Sequence, residues 1–300
     1  MRKVFKIIIY VVVGLVVIGA LGAFAAQMLS DRKRQRTIDI KVEPLAYVSD
    51  DASLARGKHL FMSRGCAECH GENGGGHIVI DQGGMYIKSP NITNGSGSVV
   101  AKYTEADWVR TIRHGVNPAG HPMILMPSGD YNQLTDVDLA AVIAYARSLP
   151  PVAGEGGTIR LPLIVKALYA AGKIRDDADT IDHTRRPPLP VPDEVTPENG
   201  AYLANMCTGC HGRTFSGGPI PGTPPEWPPA ANLTPGEGSA MTRYDAPAKF
   251  VAMIRTGKRP DSSEVSAVMP FPSLRNLNDT ELGALYAYLK TLPPRAGGNH

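Results

Sequence analysis

The segment Cys66-Ala67-Glu68-Cys69-His70 organises the sequence, and its pattern returns as Cys207-Thr208-Gly209-Cys210-His211. Each segment reads C-x-x-C-H, the attachment pattern of a c-type haem. The two thiols are spaced to reach the two vinyl groups of one haem, and the His that follows is placed to bind the iron. We call these segments the first and second haem motifs. The sequence thus predicts two covalently attached haems, held by Cys66, Cys69, Cys207 and Cys210, with His70 and His211 as iron ligands.

Two other interpretations of the motifs account for the sequence less well. A redox-active C-x-x-C pair does not need the following His. A four-ligand zinc site built from both motifs leaves the repeat around them unexplained. The motifs contain all four cysteines of the chain, which favours haem attachment.

The chain repeats itself outward from the haem motifs. Four stretches after the first motif have counterparts after the second: Pro90–Thr93 with Ala231–Thr234, Tyr103–Arg113 with Tyr244–Arg255, Leu134–Leu139 with Leu277–Leu282, and Ala144–Pro150 with Ala287–Pro293. Two copies at this period indicate tandem domains rather than a solenoid.

The repeat also selects the second iron ligands. Met126-Pro127 lies 19 residues before Tyr145, and Met269-Pro270 lies 19 residues before Tyr288. A Met opposite His is the usual arrangement in an electron-transfer haem. A lone Met is more often core filler, but two Met-Pro pairs in register predict that Met126 and Met269 bind iron.

Other side chains near the motifs are weaker candidates. Met123 has no counterpart in the second copy, and His77 follows His70 too closely to reach the opposite haem face easily. His59, His114 and His121 are more often surface or satisfied polar residues. Arg113 and Arg255 could bind haem propionates, although solvated helix charges are the favoured interpretation. Four further residues could either bind a propionate or hold the loop: Asn91, Thr93, Asn232 and Thr234.

The N-terminus carries an uncharged run of 24 residues, Ile7–Ser30, after a basic start. As a helix this run is about 36 Å long, enough to cross the ~30 Å hydrocarbon core. We expect residues 1–30 to be a transmembrane signal anchor. A cleaved signal peptide is the alternative, because Ala23-Phe24-Ala25 resembles a cleavage site. Basic residues flank both ends of the run, so the positive-inside rule does not orient it.

Local patterns predict the elements around the motifs. Helices are expected over Ala52–Arg64, Thr104–His114 (with a capping box of Thr104 and Asp107) and Thr135–Ser148. The glycine-rich stretch after His70 is expected to be loop, and residues 31–50 an extended tether. Between the copies, the apolar stretch Ile159–Ile174 is too short to span a membrane, and we expect it to pack between the two domains or on a partner. A polyproline spacer follows at residues 185–192.

The charge distribution gives no indication of a nucleic-acid partner. The net charge of the chain is +3, and residues 1–50 alone hold eight Lys and Arg against four Asp and Glu. The basic balance therefore belongs to the N-terminus, and the haem regions are close to neutral.

The chain resembles the bacterial membrane-anchored di-haem cytochromes c and is similar to the multi-haem cytochrome subunits of periplasmic dehydrogenases for alcohols, sugars and sugar acids. The resemblance covers about residues 52–295. It rests on both haem motifs, Asn91-Ile92-Thr93 with Asn232-Leu233-Thr234, Trp108-Val109-Arg110 with its copy, both Met-Pro pairs and the closing Ala-Tyr helices. The dehydrogenase subunits carry three haems and a C-terminal anchor, so the identity of the electron donor does not carry over.

The resemblance implies an all-α fold with two tandem class I cytochrome c-like domains behind an N-terminal transmembrane helix. The expected domains are residues 51–152 and 196–300, joined by a linker at 153–195. Haem is joined to C-x-x-C-H motifs on the outer side of the bacterial membrane, so we expect a single-pass inner-membrane protein with periplasmic haem domains.

Single-electron transfer is the leading function, without an enzymatic reaction of the chain's own. The expected partners are the membrane and a dehydrogenase, a quinol-oxidising complex or a terminal oxidase. A di-haem cytochrome c peroxidase is the alternative, although it needs a displaceable iron ligand, which two matched Met-Pro pairs do not favour. A haem-based sensor would need a signalling domain that the sequence does not show.

Overall fold

An apolar helix forms the N-terminal end of the protein. The computed structural model describes residues 2–221, 223, 226–236 and 238–298. Helix α1 spans Arg2–Arg34, four residues beyond the uncharged run. Arg32, Lys33 and Arg34 occupy its last turn, where the helix dipole favours cations. By length and composition α1 can cross a membrane, and its most apolar window has no part buried in protein.

Two similar helical units follow α1. The first repeat contains α2 (Asp51–Ser63), α3 (Cys66–His70), β1 (Ile78–Gln82), β2 (Met85–Lys88), α4 (Glu105–His114), α5 (Ser128–Tyr131) and α6 (Asp136–Ser148). The connecting segment contributes β3 (Thr158–Arg160) and α7 (Leu163–Ala170). The second repeat contains α8 (Pro197–Ala204), α9 (Thr208–His211), α10 (Pro247–Thr256), α11 (Phe271–Leu274) and α12 (Asp279–Thr291). Short 3₁₀ turns lie at Asp177–Asp179, Asn205–Cys207 and Ala240–Arg243.

Side-chain caps set where the helices begin. The hydroxyl of Thr104 accepts a hydrogen bond from the Asp107 backbone N–H, and the Asp107 carboxylate accepts from the Thr104 N–H, which is the predicted capping box. Thr135 caps α6 through the N–H of Asp138, and Asn278 caps α12 through the N–H of Glu281. The predicted helices of the first repeat therefore match α2, α4 and α6 to within about one residue.

The first and last helices of each repeat cross at a glycine. A Cβ built on Gly57 of α2 would lie 2.0 Å from the Ala141 carbonyl oxygen of α6. A Cβ built on Gly200 of α8 would lie 2.0 Å from the Ala284 carbonyl oxygen of α12. Real atoms cannot approach so closely, so this helix crossing requires Gly in both repeats.

The glycine-rich stretch after His70 is not all loop, and here the expectation was wrong. Strands β1 and β2 form an antiparallel hairpin, and β3 pairs with β2 through Ile87 and Ile159. Gly83 and Gly84 both have positive φ, 59° and 75°, as a two-residue type I′ turn requires. Within the described residues the fold is mostly helical, as predicted, with one small three-stranded sheet in addition.

Of the two arrangements expected for the connecting segment, packing between the two repeats is not observed. Helix α7 lies against α1, not between the two repeats. The chain between α1 and α2 has no helix or strand, yet Val42, Leu45 and Tyr47 pack against the core of the first repeat. These residues therefore belong to the first repeat rather than forming a free tether.

Polar contacts join the two repeats. The Tyr202 hydroxyl of α8 reaches into the first repeat, where it donates to the Asp138 carboxylate (2.5 Å) and accepts from the Thr135 backbone N–H (3.3 Å). In the other direction, His59 Nε2 of α2 lies 2.9 Å from both carboxylate oxygens of Glu281 in α12. Asp138 and Glu281 are both buried, so the repeats form a specific interface.

Candidate haem sites

Each haem motif folds into one helical turn. Gly65, with φ of 84°, precedes α3, and Gly71, with φ of 74°, ends it. Gly212 ends α9 with φ of 75°. Residues three and four apart share a face of a helix, so Cys66, Cys69 and His70 lie on one side of α3.

Both motif histidines are held by a backbone carbonyl. The Nδ1 of His70 lies 3.1 Å from the Pro90 oxygen, and the Nδ1 of His211 lies 2.8 Å from the Ala231 oxygen. A carbonyl only accepts, so Nδ1 carries the proton and Nε2 keeps its lone pair for a metal. Burial lowers the pKa of His70, which favours the neutral imidazole that binds iron.

An apolar cavity lies beside the first motif. Cys66 and His70 line it together with aromatic and aliphatic side chains such as Phe61, Ile92, Trp108 and Ile112. Met123 and Met126 line the same cavity. A wider cleft of about 700 Å³ also includes Cys69 and extends to Met206 and Ser273 of the second repeat.

The first cavity fits a haem. Its lining offers a flat macrocycle an apolar environment, and two polar groups in it have atoms without a partner among the described residues. These atoms are the Nε1 of Trp108 and the Nε and Nη2 of Arg64, which are buried and make no hydrogen bond. Haem propionates accept hydrogen bonds of this kind, and a buried donor without a partner is costly.

The two Met-Pro loops have the same backbone. Pro127 has φ and ψ of −77° and 60°, and Pro270 has −77° and 63°. The carbonyl of Met126 accepts from the Ser128 N–H at 2.8 Å, and that of Met269 accepts from the Phe271 N–H at 2.8 Å. Met269 packs against the core of the second repeat. The repeated conformation agrees with the sequence register that separated Met126 from Met123.

The paired Asn and Thr side chains have a structural role. The Oδ1 of Asn91 accepts from the backbone N–H and the hydroxyl of Thr93, and its Nδ2 donates to the Val152 oxygen at 2.9 Å. In the second repeat Asn232 makes the same bonds to Thr234 and donates to the Arg295 oxygen at 2.8 Å. They tie the loop that carries the His-binding carbonyl to the chain after the last helix.

The matched arginines bind protein groups. Arg113 donates to the Asp136 carboxylate at 2.7 Å and to the Leu134 carbonyl at 3.0 Å. Arg255 donates to the Asp279 carboxylate at 2.9 Å. Arg113 is buried, so it is a packed ion pair rather than a solvated helix charge.

Residues at the interface between the repeats were missed by the sequence reasoning. The Glu68 carboxylate, inside the first motif, accepts from the Ser273 backbone N–H at 2.8 Å and from the Ser273 hydroxyl. Asp130, at the position equivalent to Ser273, lies beside Gly209 of the second motif. Burial, together with Asp177, raises the pKa of Asp130 to about 7. Each motif therefore meets the Met-Pro loop region of the other repeat.

The alternatives to haem attachment fit the structure less well. Burial raises the pKa of the Cys66 thiol to about 11 and that of Cys207 to about 12, whereas a redox-active thiol needs a lowered pKa. Within the described ranges no group of three or more His, Cys, Asp or Glu side chains is arranged to hold a metal ion. That finding speaks against a zinc site built from both motifs.

Repeated C-x-x-C-H turns, carbonyl-held histidines and the apolar cavity beside the first motif define a protein with two c-type haem domains. A family model described as "Cytochrome c" matches residues 54–150 and again residues 197–293, so the chain belongs to the cytochrome c family. It carries two c-type haems and is an electron-transfer protein, as expected from the sequence. The prediction of two tandem cytochrome c domains is confirmed.

Three similar proteins are cytochrome subunits of dehydrogenases. The fructose dehydrogenase cytochrome subunit of Gluconobacter japonicus is 26% identical over 283 residues, which are 85% of this chain and 55% of that protein. The cytochrome c subunit of alcohol dehydrogenase (quinone) from Gluconacetobacter polyoxogenes is 32% identical over 105 residues, 33% of this chain and 22% of its own length. The gluconate 2-dehydrogenase cytochrome c subunit of Pantoea cypripedii is 30% identical over 114 residues, 35% of this chain and 25% of its own length. The chain spans about half the length of these relatives or less. Nothing in these comparisons supports the peroxidase alternative.

Proposed function

We propose that this chain is a di-haem cytochrome c subunit that accepts single electrons from a dehydrogenase and passes them on through both haems. In this proposal Cys66 and Cys69 attach the first haem, and Cys207 and Cys210 attach the second. The observation that carries the proposal is the repeated geometry of the sites. Both motif histidines are held by a carbonyl 20 residues later, and both Met-Pro loops share one backbone conformation.

The iron ligands follow from that geometry. His70 and Met126 bind the first iron in our assignment, and His211 and Met269 bind the second. Iron in a c-type haem supplies one-electron chemistry, and a Met ligand opposite His raises its potential. With both a His and a Met bound, the iron would have no open position, which would suit an electron carrier better than a peroxidase.

The surrounding residues orient the ligands and exclude water. The Pro90 and Ala231 carbonyls fix the planes of the two imidazoles. The apolar lining of the first cavity lowers the local dielectric, so charge on the iron is screened less than it would be in water.

Electrons pass between the haems across the interface of the repeats. The cleft beside the first motif continues to Met206, which precedes the second motif, and to Ser273, which follows Met269. Glu68 of the first motif contacts Ser273, and Asp130 lies beside Gly209 of the second motif. These contacts support a short route between the two sites.

We further propose that α1 is retained as a single-pass anchor in the bacterial inner membrane, with both repeats on the periplasmic side. The end of α1 is part of the folded unit. Gln27 accepts from Lys166 at 2.6 Å, Lys33 donates to the Tyr169 carbonyl at 3.2 Å, and Arg36 pairs with Asp176. A helix that folds onto the rest of the protein suits an anchor better than a cleaved signal peptide, which remains the alternative.

Purification in mild detergent tests the proposal. We expect the haem content, measured from the absorbance of the alkaline pyridine complex, to be two per chain. The native partner that stays bound should be a dehydrogenase, and its substrate should reduce both haems within the complex.

Two results would contradict this function. Reduction only through a quinol-oxidising complex, or co-purification with a terminal oxidase, would place the chain in a respiratory chain without a dehydrogenase. Isolation without a partner, together with rapid peroxide turnover, would replace the carrier by a peroxidase. Intact mass determines separately whether residues 1–30 are retained.

A further inference from the structure

Helix α7 of the connecting segment has an apolar face that no other part of the described chain covers. Leu163 is 47% exposed, Ile164 65% and Leu168 39%. Ile164 and Leu168 are four residues apart, so they share one face of the helix. Three large apolar side chains on eight residues form a patch, whereas single exposed apolar residues are ordinary on protein surfaces.

The opposite side of α7 is fixed to the end of α1. Ala23, Ala26 and Ser30 of α1 are half-buried or buried and follow one another at helical spacing, which lets two helices approach closely. The only charged side chain of α7, Lys166, donates to Gln27. The helix therefore turns its polar group toward α1 and leaves its apolar face outward.

A cluster of polar and charged residues joins the end of α1 to the end of α7 and the turn that follows it. Arg36 donates to both carboxylate oxygens of Asp176, at 2.9 and 2.7 Å, and to Asp179 at 2.8 Å. The Tyr169 hydroxyl donates to Asp176 at 2.6 Å, and Lys33 lies 4.4 Å from the centre of the Tyr169 ring. We call Lys33, Arg36, Tyr169, Asp176 and Asp179 the clasp. The clasp pairs Asp176 and Asp179 with cations, so these two carboxylates are not presented to an anionic surface as free charges.

We propose that the exposed face of α7 lies in the membrane interface beside α1, where its partner is the acyl-chain and headgroup region of phospholipids. This inference rests on the proposed anchor. Gln27, which contacts α7, lies near the end of the uncharged run that crosses the hydrocarbon core. Leu163, Ile164 and Leu168 are thereby held at the depth where amphipathic helices lie on a bilayer.

The charges around the patch agree with this partner. Arg32, Lys173 and Arg175 are exposed, at the last turn of α1 and just after α7. Cationic side chains beside an apolar face favour an anionic membrane surface. A protein partner is the competing occupant, and the experiment distinguishes the two.

Photo-crosslinking of the full-length haem-loaded protein tests the inference. The photoreactive amino acid p-benzoylphenylalanine replaces Ile164, and the protein is reconstituted in vesicles of phosphatidylethanolamine and phosphatidylglycerol. Val16 of α1, 65% exposed, is the control for the anchor, and Leu189 of the proline-rich spacer, 84% exposed, is the control for exposure alone. After irradiation we expect the mass of one phospholipid to be added at positions 164 and 16 and not at 189.

The outcomes separate this inference from the anchor. A lipid adduct at 16 without one at 164 would overturn the docking of α7 and leave the anchor intact. Loss of the lipid adduct at both positions would overturn the anchor and this inference with it. A protein adduct at 164 in native membranes would assign the patch to a partner chain instead. The same substitution at Leu168 is a second probe, and unchanged haem absorbance shows that each variant has folded.

Discussion

Each motif histidine donates its Nδ1–H to a carbonyl 20 residues later in the chain. At the scale of single residues this bond selects the tautomer that leaves Nε2 for iron. The donor and the acceptor both come from repeated segments, so the same bond forms twice. The methionines proposed as second ligands have no such bond to mark them, and their assignment depends on register and on the shared loop conformation.

Replacing the methionines tests that assignment. We expect Met126→Ala to lower the potential of the first haem, and Met269→Ala that of the second, by on the order of 100 mV, within the ~0.8 V range that axial ligands set. A Met ligand favours reduced iron, so its removal should lower the potential. Redox titration with each haem followed spectroscopically measures the change.

Met123→Ala is the matched control, because Met123 lines the same cavity but has no counterpart in the second repeat. The potential of the first haem in this variant should stay close to that in the parent protein. A large effect at Met123 with none at Met126 would exchange the two assignments.

Asp130 gives a prediction for pH dependence. Burial and the neighbouring Asp177 raise the pKa of Asp130 to about 7, and Arg64 opposes this rise. As pH rises through 7 the carboxyl gains a negative charge, which stabilises the more positive oxidised iron. The potential of the second haem should therefore fall by on the order of tens of mV across that range.

The variant Asp130→Asn should remove most of this fall, since the amide does not titrate. Potentiometric titrations between pH 5 and pH 9, a range of about two units on each side of the pKa, measure it. A parent protein whose second-haem potential does not change over that range would contradict the prediction.

At the scale of elements, the sequence predicted what local rules govern. Thr104 with Asp107 marks the start of α4, and Thr135 marks that of α6, because a cap bonds backbone only a few residues away. The hairpin was missed even though Gly83-Gly84 between β-branched stretches is a turn pattern. Glycines near a haem motif were interpreted as loop, and β3, which completes the sheet, comes from about 70 residues later in the chain.

The packing of α7 could not be predicted from its sequence. An apolar stretch of this length indicates that one face of the helix will be buried. It does not indicate which surface will bury that face. The contact depends on Lys166 meeting Gln27 and on Arg36 meeting Asp176, pairs separated by about 140 residues. Such pairs have no periodicity to reveal them.

Substitution of the two crossing glycines tests the helix packing inside each repeat. Gly57→Ala should lower the free energy of unfolding by about 1–3 kcal/mol, because the added methyl group overlaps the Ala141 carbonyl and forces α2 and α6 apart. Gly200→Ala should act in the same way on α8 and α12. Chemical denaturation of the haem-loaded protein measures both changes.

Gly156→Ala is the control, since a Cβ there would meet only a Val99 methyl at 3.9 Å. Its free energy of unfolding should stay close to that of the parent. If Gly57→Ala were equally neutral, the close approach of the helices would not be needed for stability.

At the scale of the whole molecule, the two repeats contact each other in a roughly reciprocal way. Glu68 of the first motif meets Ser273, and Asp130, equivalent to Ser273, meets Gly209 of the second motif. The sequence showed that the chain contains two copies. It did not show how they face each other, because the contacting residues differ between the copies: Glu68 corresponds to Gly209, and Asp130 to Ser273.

This interface should hold without the covalent linker. A site-specific protease sequence inserted after the exposed Arg186 allows the chain to be cut between the repeats. After cleavage we expect both haem-bearing halves to elute together in size-exclusion chromatography, since Tyr202 binds the buried Asp138 and His59 binds the buried Glu281 across the interface. Elution as two separate halves at moderate ionic strength would contradict a stable interface.

The clasp and the chain that follows it limit how far the first repeat can move relative to α1. Arg36 is tied to Asp176, Ile38 bonds to Gly120 in the first repeat, and Val42, Leu45 and Tyr47 pack on its core. The segment that follows α1 is therefore not a flexible linker. In the proposed arrangement the protein cannot move between distant partners as a loosely tethered carrier would. If α1 is the proposed anchor, the two repeats would keep a constant height and orientation above the membrane. In that arrangement the bound dehydrogenase would deliver electrons within the complex, and only the acceptor would have to diffuse in the plane of the membrane.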